Sequence, residues 1–258
     1  MKTMIYAAAA LALFAGNPAK ADEATSPEKV EEAKPDNAVS FNAALASDYR
    51  FRGISQSRLK PALQGGADYV NNPTGLYAGT WLSTIKWAKD AGGGGNTELD
   101  LYAGKRGEFA KDFSYDIGVL SYVYPSNGLA DVPGFANANT TEVYGQLGYG
   151  YGYIKYSHAV TNLFGFIDSK NSAYVDIGAN IDVGNNLVIN LHAGHQGVKN
   201  TSAASYTDWK AGVTKDFGIV SVAAALIGTN ASKIAYASPA NGKFLGKSAL
   251  VLTISKTF

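Results

Sequence analysis

Residues 173–183, Ala-Tyr-Val-Asp-Ile-Gly-Ala-Asn-Ile-Asp-Val, decide the fold. Ala173, Val175, Ile177, Ala179, Ile181 and Val183 fall on one face of an extended chain. Tyr174, Asp176, Gly178, Asn180 and Asp182 fall on the other. Strict alternation predicts a β-strand, because strand side chains switch faces at every residue whereas helical ones recur every three or four. A tilted strand crosses a bilayer in about 9–11 residues. This segment therefore offers one apolar and one polar face at spanning length.

Working outward, about twelve such segments follow one another. They begin near Val39, Ala62, Gly75, Thr97, Phe113, Thr141, Gly152, Ala173, Leu187, Asp208, Ile219 and Lys247. Alternation is weak in those near Gly75 and Ile219, whose faces stay unassigned. Five connections are short (71–74, 106–111, 148–151, 184–186, 216–218), and six are long (53–61, 83–96, 125–140, 159–172, 196–207, 229–246). Short and long strictly alternate. An up-and-down antiparallel β-barrel with its tight turns at one rim and its long loops at the other produces this order. Outer-membrane barrels are built so, with short periplasmic turns and long external loops. A Greek-key sandwich has no reason to sort its connections. An even strand count returns both termini to the turn side, here the periplasm.

Composition agrees. The chain has 258 residues, a formal net charge of +1 and no cysteine, which excludes disulfides, thiolate metal sites and a cysteine nucleophile. Charged residues are 17%, below the roughly 25% of soluble domains, while 29 glycines and 16 tyrosines are many. Near-neutral charge gives no reason to expect nucleic acid as a partner. Residues 1–21 read as a cleaved signal peptide: Lys2, an apolar run over 4–15, then Ala19 and Ala21 at the cleavage positions. Residues 22–37 carry six acids and two prolines with little to bury, and read as an acidic disordered tether. The barrel domain is 38–258, with 18 Lys+Arg and 15 Asp+Glu.

If apolar faces meet lipid, polar faces meet the lumen. The lumen-lining candidates are Asp48, Arg50, Asp68, Glu98, Asp100, Asp116, Glu142, Lys155, Asp176, Asp182, Asp208 and Lys210. Nine acids against three bases require either water or a dense ion-pair network, since an unpaired buried charge costs several kcal/mol. Twelve strands lie between the filled barrels of about eight and the open channels of 16–18. The expectation is a narrow, acid-lined, hydrated lumen, partly closed by an inward-folded loop. The long loops carry the opposite bias: Arg52, Arg58, Lys60, Lys86, Lys89, Lys170, Lys199, Lys233, Lys243 and Lys247 against Asp90, Asp131 and Asp168. That basic rim either pairs with lipopolysaccharide phosphates, draws anions to the mouth, or only keeps the rim soluble. Tyr49, Phe51, Tyr69, Tyr77, Trp81, Tyr115, Tyr149 and Trp209 sit near strand ends, as an aromatic girdle would.

Catalysis finds no support. His158, His192 and His195 are the available imidazoles. Ser157 and His158 point to opposite faces of a strand, as do His192 and His195, so neither pair forms a nucleophile–base couple or a shared metal site. No cofactor and no metal are expected. The chain ends in an alternating run, 248–258, closing on Phe258, which resembles the assembly signal of bacterial barrels, although Lys256 stands where an apolar residue is usual. The barrel assembly machinery and outer-membrane lipid are the corresponding partners.

Ser47-Asp-Tyr-Arg-Phe-Arg-Gly-Ile-Ser-Gln-Ser57, then Pro61-Ala-Leu-Gln-Gly-Gly-Ala-Asp-Tyr69 and Gly75-Leu-Tyr-Ala-Gly-Thr-Trp81, resemble the TorF family of proteobacterial porins, formerly conserved proteins of unknown function. The match is densest over 40–82. It implies a Gram-negative outer-membrane barrel and passive passage of small hydrophilic solutes or ions, and it supplies no catalytic residues. Asp48, Arg50, Arg52 and Gln56 are expected to form a polar cluster at the end of the first strand. The competing readings are a structural or adhesive barrel with a plugged lumen and functional external loops, a barrel hydrolase, and a soluble periplasmic β-protein.

Overall fold

A computed structural model describes residues 35–258. The signal-peptide segment 1–21 and residues 22–34 of the tether lie outside the described residues. Twelve strands form a closed antiparallel barrel. They are β1 (Asn37–Ala46), β4 (Ala62–Asn71), β5 (Leu76–Thr84), β6 (Thr97–Ala110), β7 (Phe113–Val123) and β8 (Thr140–Tyr149). The circuit continues with β9 (Gly152–Ala159), β10 (Ala173–Asp182), β11 (Leu187–Gly197), β12 (Tyr206–Asp216), β13 (Ser221–Thr229) and β14 (Ala249–Thr257). Each strand pairs with its sequence neighbours in the barrel, and β14 returns to β1. That seam runs from Asn42 opposite Thr257 to Ala46 opposite Thr253. Phe41 and Phe258 extend it by exchanging both backbone hydrogen bonds, at 3.3 and 2.8 Å. Short turns and long loops segregate to opposite rims, and both ends of the described chain lie at the short-turn rim.

Alternation sets what each face meets. Outward positions are apolar and bare, among them Val39, Leu63, Ile117, Leu147, Ile177 and Leu250, each more than half exposed. Inward positions hold Glu98, Asp100, Glu142, Asp176 and Asp208, all at most 2% exposed. This inverts the rule for soluble proteins, where carboxylates are almost never fully buried. A continuous apolar belt of this size marks a surface built for a nonaqueous partner. No helix among the described residues is long and apolar enough to cross a membrane.

Glycine makes room for tyrosine inside. Tyr102 stands opposite Gly79, Tyr77 opposite Gly104, Tyr144 opposite Gly118 and Tyr153 opposite Gly178. A Cβ on Gly79 would lie 2.5 Å from the Tyr102 ring, so that ring can lie flat against the wall only where the partner has no side chain. The wall is uneven in another way. β6 to β12 present large or charged side chains inward, whereas β13, β14 and β1 present Ala223, Ala225, Thr253, Ser255, Ala44 and Asn42. The small inner row of β13 explains the weak alternation of that segment: its inner and outer positions are both apolar.

The inward-folded loop is the first long one, a hairpin of β2 (Arg50–Phe51) and β3 (Ile54–Ser55), so its Arg52 leaves the basic rim expected from the sequence. The aromatic girdle is also smaller than expected. Tyr69, Tyr115, Tyr149 and Trp209 face outward, but Tyr49 and Trp81 are buried edge-to-face against each other at 5.3 Å, and Phe51 and Tyr77 turn into the lumen. Strand parity decides this, since Tyr77 and Trp81 share a face with the buried Ser83.

The three tryptophans now occupy distinct environments. Trp209 is 43% exposed on the outer wall, Trp81 is 7% exposed inside, and Trp87 packs on Tyr124 under a loop. In bilayers containing brominated lipid, Trp209 fluorescence is expected to be quenched and Trp81 spared. The variant Trp209→Phe then loses most of the quenching; equal quenching of all three would contradict the outward assignment.

Candidate functional site

The inward hairpin is built around a two-residue turn. Arg52 and Gly53 both have positive φ, 45° and 77°, between paired Phe51 and Ile54. Such a turn matches the twist of a two-residue hairpin and strongly favours glycine and asparagine. Arginine here costs about 1 kcal/mol or more in backbone strain, so it is held by its surroundings. Gly53 fits because a Cβ there would meet Thr229 Cγ2 at 2.4 Å and Asp208 Cβ at 2.8 Å, on β13 and β12.

Arg52 is that anchor. It is 5% exposed, and its two terminal nitrogens donate to both Glu142 carboxylate oxygens at 3.0 and 2.7 Å. A third bond reaches Gln196 Oε1 at 2.5 Å. The guanidinium stacks over the Tyr174 ring at 4.1 Å and the Phe51 ring at 4.8 Å. Burial pulls its pKa down, and the Glu142 carboxylate outweighs this to hold it above its ordinary value. At the hairpin base, Arg50 Nε donates to Asp48 at 2.5 Å, and its Nη1 donates to the carbonyls of Gly53, Leu245 and Lys247. Asp48 also accepts from Ser55 and Ser57 at 2.5 and 3.0 Å.

Around the hairpin the long loops form a lid. Phe51 packs edge-on against Tyr122 and Phe164 at 5.3 and 5.4 Å. Leu129, Ile85 and Leu163 are buried beneath it, and Ile54 packs with Leu245 and Tyr206 on the other side. The short helix α1 (Trp87–Asp90) belongs to this lid, and its Asp90 pairs with Arg58.

A second centre lies just below. His192 Nδ1 contacts Asp176 at 2.6 Å, and its Nε2 contacts Asp208 at 2.7 Å. Tyr174 Oη donates to Asp208 at 2.9 Å. A neutral imidazole has one N–H, so serving two carboxylates calls for the protonated ring. Gly194 lies between Asp176 and Asp208 in the register, and a Cβ there would sit 2.1 Å from Tyr174 Oη. Further toward the short-turn rim, Tyr102 donates to Asp68 and Tyr77 to Asp116, both at 2.5 Å. Lys155 Nζ lies 4.0 Å over the Tyr144 ring.

The lumen-lining candidates thus divide. Asp48, Arg50, Asp68, Glu98, Asp100, Asp116, Glu142, Lys155, Asp176, Asp208 and Lys210 are turned inside the barrel, while Asp182 is exposed at the short-turn rim, capping the Gly184 N–H at 2.8 Å. The expected four-residue polar cluster does not assemble. Asp48 and Arg50 pair, but Arg52 reaches across to β8 and β11, and Gln56 Nε2 turns back to the Ile54 carbonyl. Arg52 is therefore removed from the basic rim. Tyr174, His192 and Gln196 are partners that single-strand reasoning could not supply; they emerge once β10, β11 and β12 are placed in register.

Arg52→Met leaves Glu142 buried without its cation and is expected to destabilise the barrel by about 3–5 kcal/mol. Arg52→Met combined with Glu142→Gln should recover most of that loss. Urea unfolding in detergent micelles reads both; an Arg52→Met protein as stable as the parent would refute the clamp.

The barrel resembles solved outer-membrane barrels. The NanC porin structure superposes with a TM-score of 0.52 at 10% identity, over 85% of this chain and 98% of that one. An outer membrane channel from Pseudomonas putida F1 superposes with a TM-score of 0.50 at 11% identity, over 90% and 99%. At such identities the likeness establishes the fold alone. A search of curated proteins gave no match. A family model described as "Bacterial protein of unknown function (Gcw_chp)" matches residues 30–258, and the chain belongs to that family.

Proposed function

We propose that this chain is an outer-membrane porin for small hydrophilic solutes or ions, held shut by its first loop. The observation that carries this reading is the Arg52 clamp: a hairpin that reaches into the lumen and whose tip is fixed to the opposite wall by an ion pair, beside the apolar contacts of Phe51 and Ile54. Ion pairs made at the tip of a loop can exchange for water once the loop lifts, whereas a permanently filled barrel has no use for a charged wall beneath its plug. Below the hairpin the wall stays polar, with Asn190 bonded to Asn180 and to Thr214 at 2.8 Å.

The acid excess expected from composition is largely internally compensated. Asp48, Glu142, Asp176 and Asp208 each have a cationic partner. Selectivity in this reading follows what remains, Asp68, Glu98, Asp100 and Asp116 against Lys155 and Lys210, so it is weaker than a bare lining of nine acids would give. The resemblance of the first three spanning strands to TorF porins and the superposition on porin folds support the same assignment. In this orientation both termini and the short turns face the periplasm. The exposed rim lysines, such as Lys60, Lys86, Lys170 and Lys243, meet lipopolysaccharide phosphates, and Phe258, exposed at the end of β14, is offered to the assembly machinery.

A plugged structural barrel is the second reading, favoured by the aromatic lid. Planar-bilayer recordings separate the two. The intact protein is expected to give rare, small conductance steps, and a variant with residues 50–55 replaced by two glycines several-fold larger and more frequent ones. Absence of steps from the folded deletion variant would reject the porin and leave the structural barrel.

A further inference from the structure

We infer that the seam between the first-loop hairpin and strands β11 to β13 holds a binding site for a single halide-sized anion. A cavity of about 40 Å³ lies there, lined by Arg50, Arg52, His192, Lys210, Asp208 and Ile227. That volume admits one monatomic anion or a few waters. Four of these side chains are cationic, and three of them, Arg50, Arg52 and His192, are already paired with carboxylates, so what an anion would meet is Lys210 and the N–H groups those pairs leave over. The lining carboxylate is already spoken for: one Asp208 oxygen accepts from Tyr174 and the other contacts His192.

Two buried N–H groups at this place have no acceptor. Arg50 Nη2 and Arg52 Nε are both out of contact with solvent and lack a hydrogen-bond partner among the described residues. The two side chains are only 2% and 3% exposed. A buried donor left unpaired costs about 1–3 kcal/mol, so two on one small cavity call for an acceptor. The Lys210 ammonium, across from Ile227 in the register, makes no direct ion pair among the described residues, and the Asp176 and Asp208 carboxylates act on it from farther off. Arginine and lysine donate only, so what completes them is a species that accepts without needing to donate. A halide meets that description in the space available. It would also tie the hairpin, through Arg50 and Arg52, to β12, through Lys210. The site stands whether or not the barrel conducts.

The test uses the folded barrel in micelles. Its urea midpoint is expected to rise when sodium gluconate is exchanged for sodium chloride at equal ionic strength, saturating with chloride concentration. Lys210→Met should abolish the difference. Should that variant fail to fold, Ile227→Phe fills the cavity while keeping every charge and should abolish it too. Crystals grown in sodium bromide should show an anomalous peak between the Arg50 and Lys210 side chains. Ordered waters alone in the cavity, or a chloride effect that persists in both variants, would overturn the inference.

Discussion

Closure of the sheet is the constraint from which the remainder follows. Once β14 pairs with β1, backbone polar groups along the twelve strands find partners within the ladder, and no edge is left to recruit another chain. A closed sheet has only two sides, and period-two alternation must assign every residue to one of them. The outer side is given to aliphatic and aromatic residues. The inner side then inherits nearly all the polar chemistry of the spanning segments, in a space too narrow to hydrate it freely.

That confinement dictates pairing. A carboxylate in such a space is stable only beside a cation or several donors. Glu142 is met by Arg52, Asp48 by Arg50, and Asp176 and Asp208 share His192. Tyrosine supplies the remaining donors, with Tyr49 reaching Glu98, Tyr102 reaching Asp68 and Tyr77 reaching Asp116. The abundance of tyrosine and glycine is therefore one requirement seen twice: phenols to serve buried carboxylates, and side-chain-free positions against which their rings can lie.

The spanning strands were legible because they repeat one simple rule many times. Expected strand starts at Ala62, Thr97, Phe113, Gly152, Ala173 and Leu187 coincide with the observed ones, and the sorting of short and long connections follows directly. The hairpin was not legible. Its strands are two residues long, too short for any periodicity, and its turn uses an arginine where glycine or asparagine would have announced it. Arg52 looked like a rim cation because charges in loops usually meet water. Its partners stand 90 and 144 residues away, and only the closed register brings them together. The same holds for His192, whose two carboxylates sit on the strands to either side of its own.

Arg50 adds a matter of timing. Its guanidinium hydrogen-bonds the carbonyls of Leu245 and Lys247, in the connection that leads into the last strand. A residue from the first loop thus depends on the final segment of the chain, almost two hundred positions later. Contacts of such sequence separation form late, after the loop entropy between them has been overcome. The hairpin cannot be fully seated while the barrel is still open. Its docking is then a structural record of completion: the Arg50 contacts that seat the first loop exist only once the segment leading into the last strand is in place.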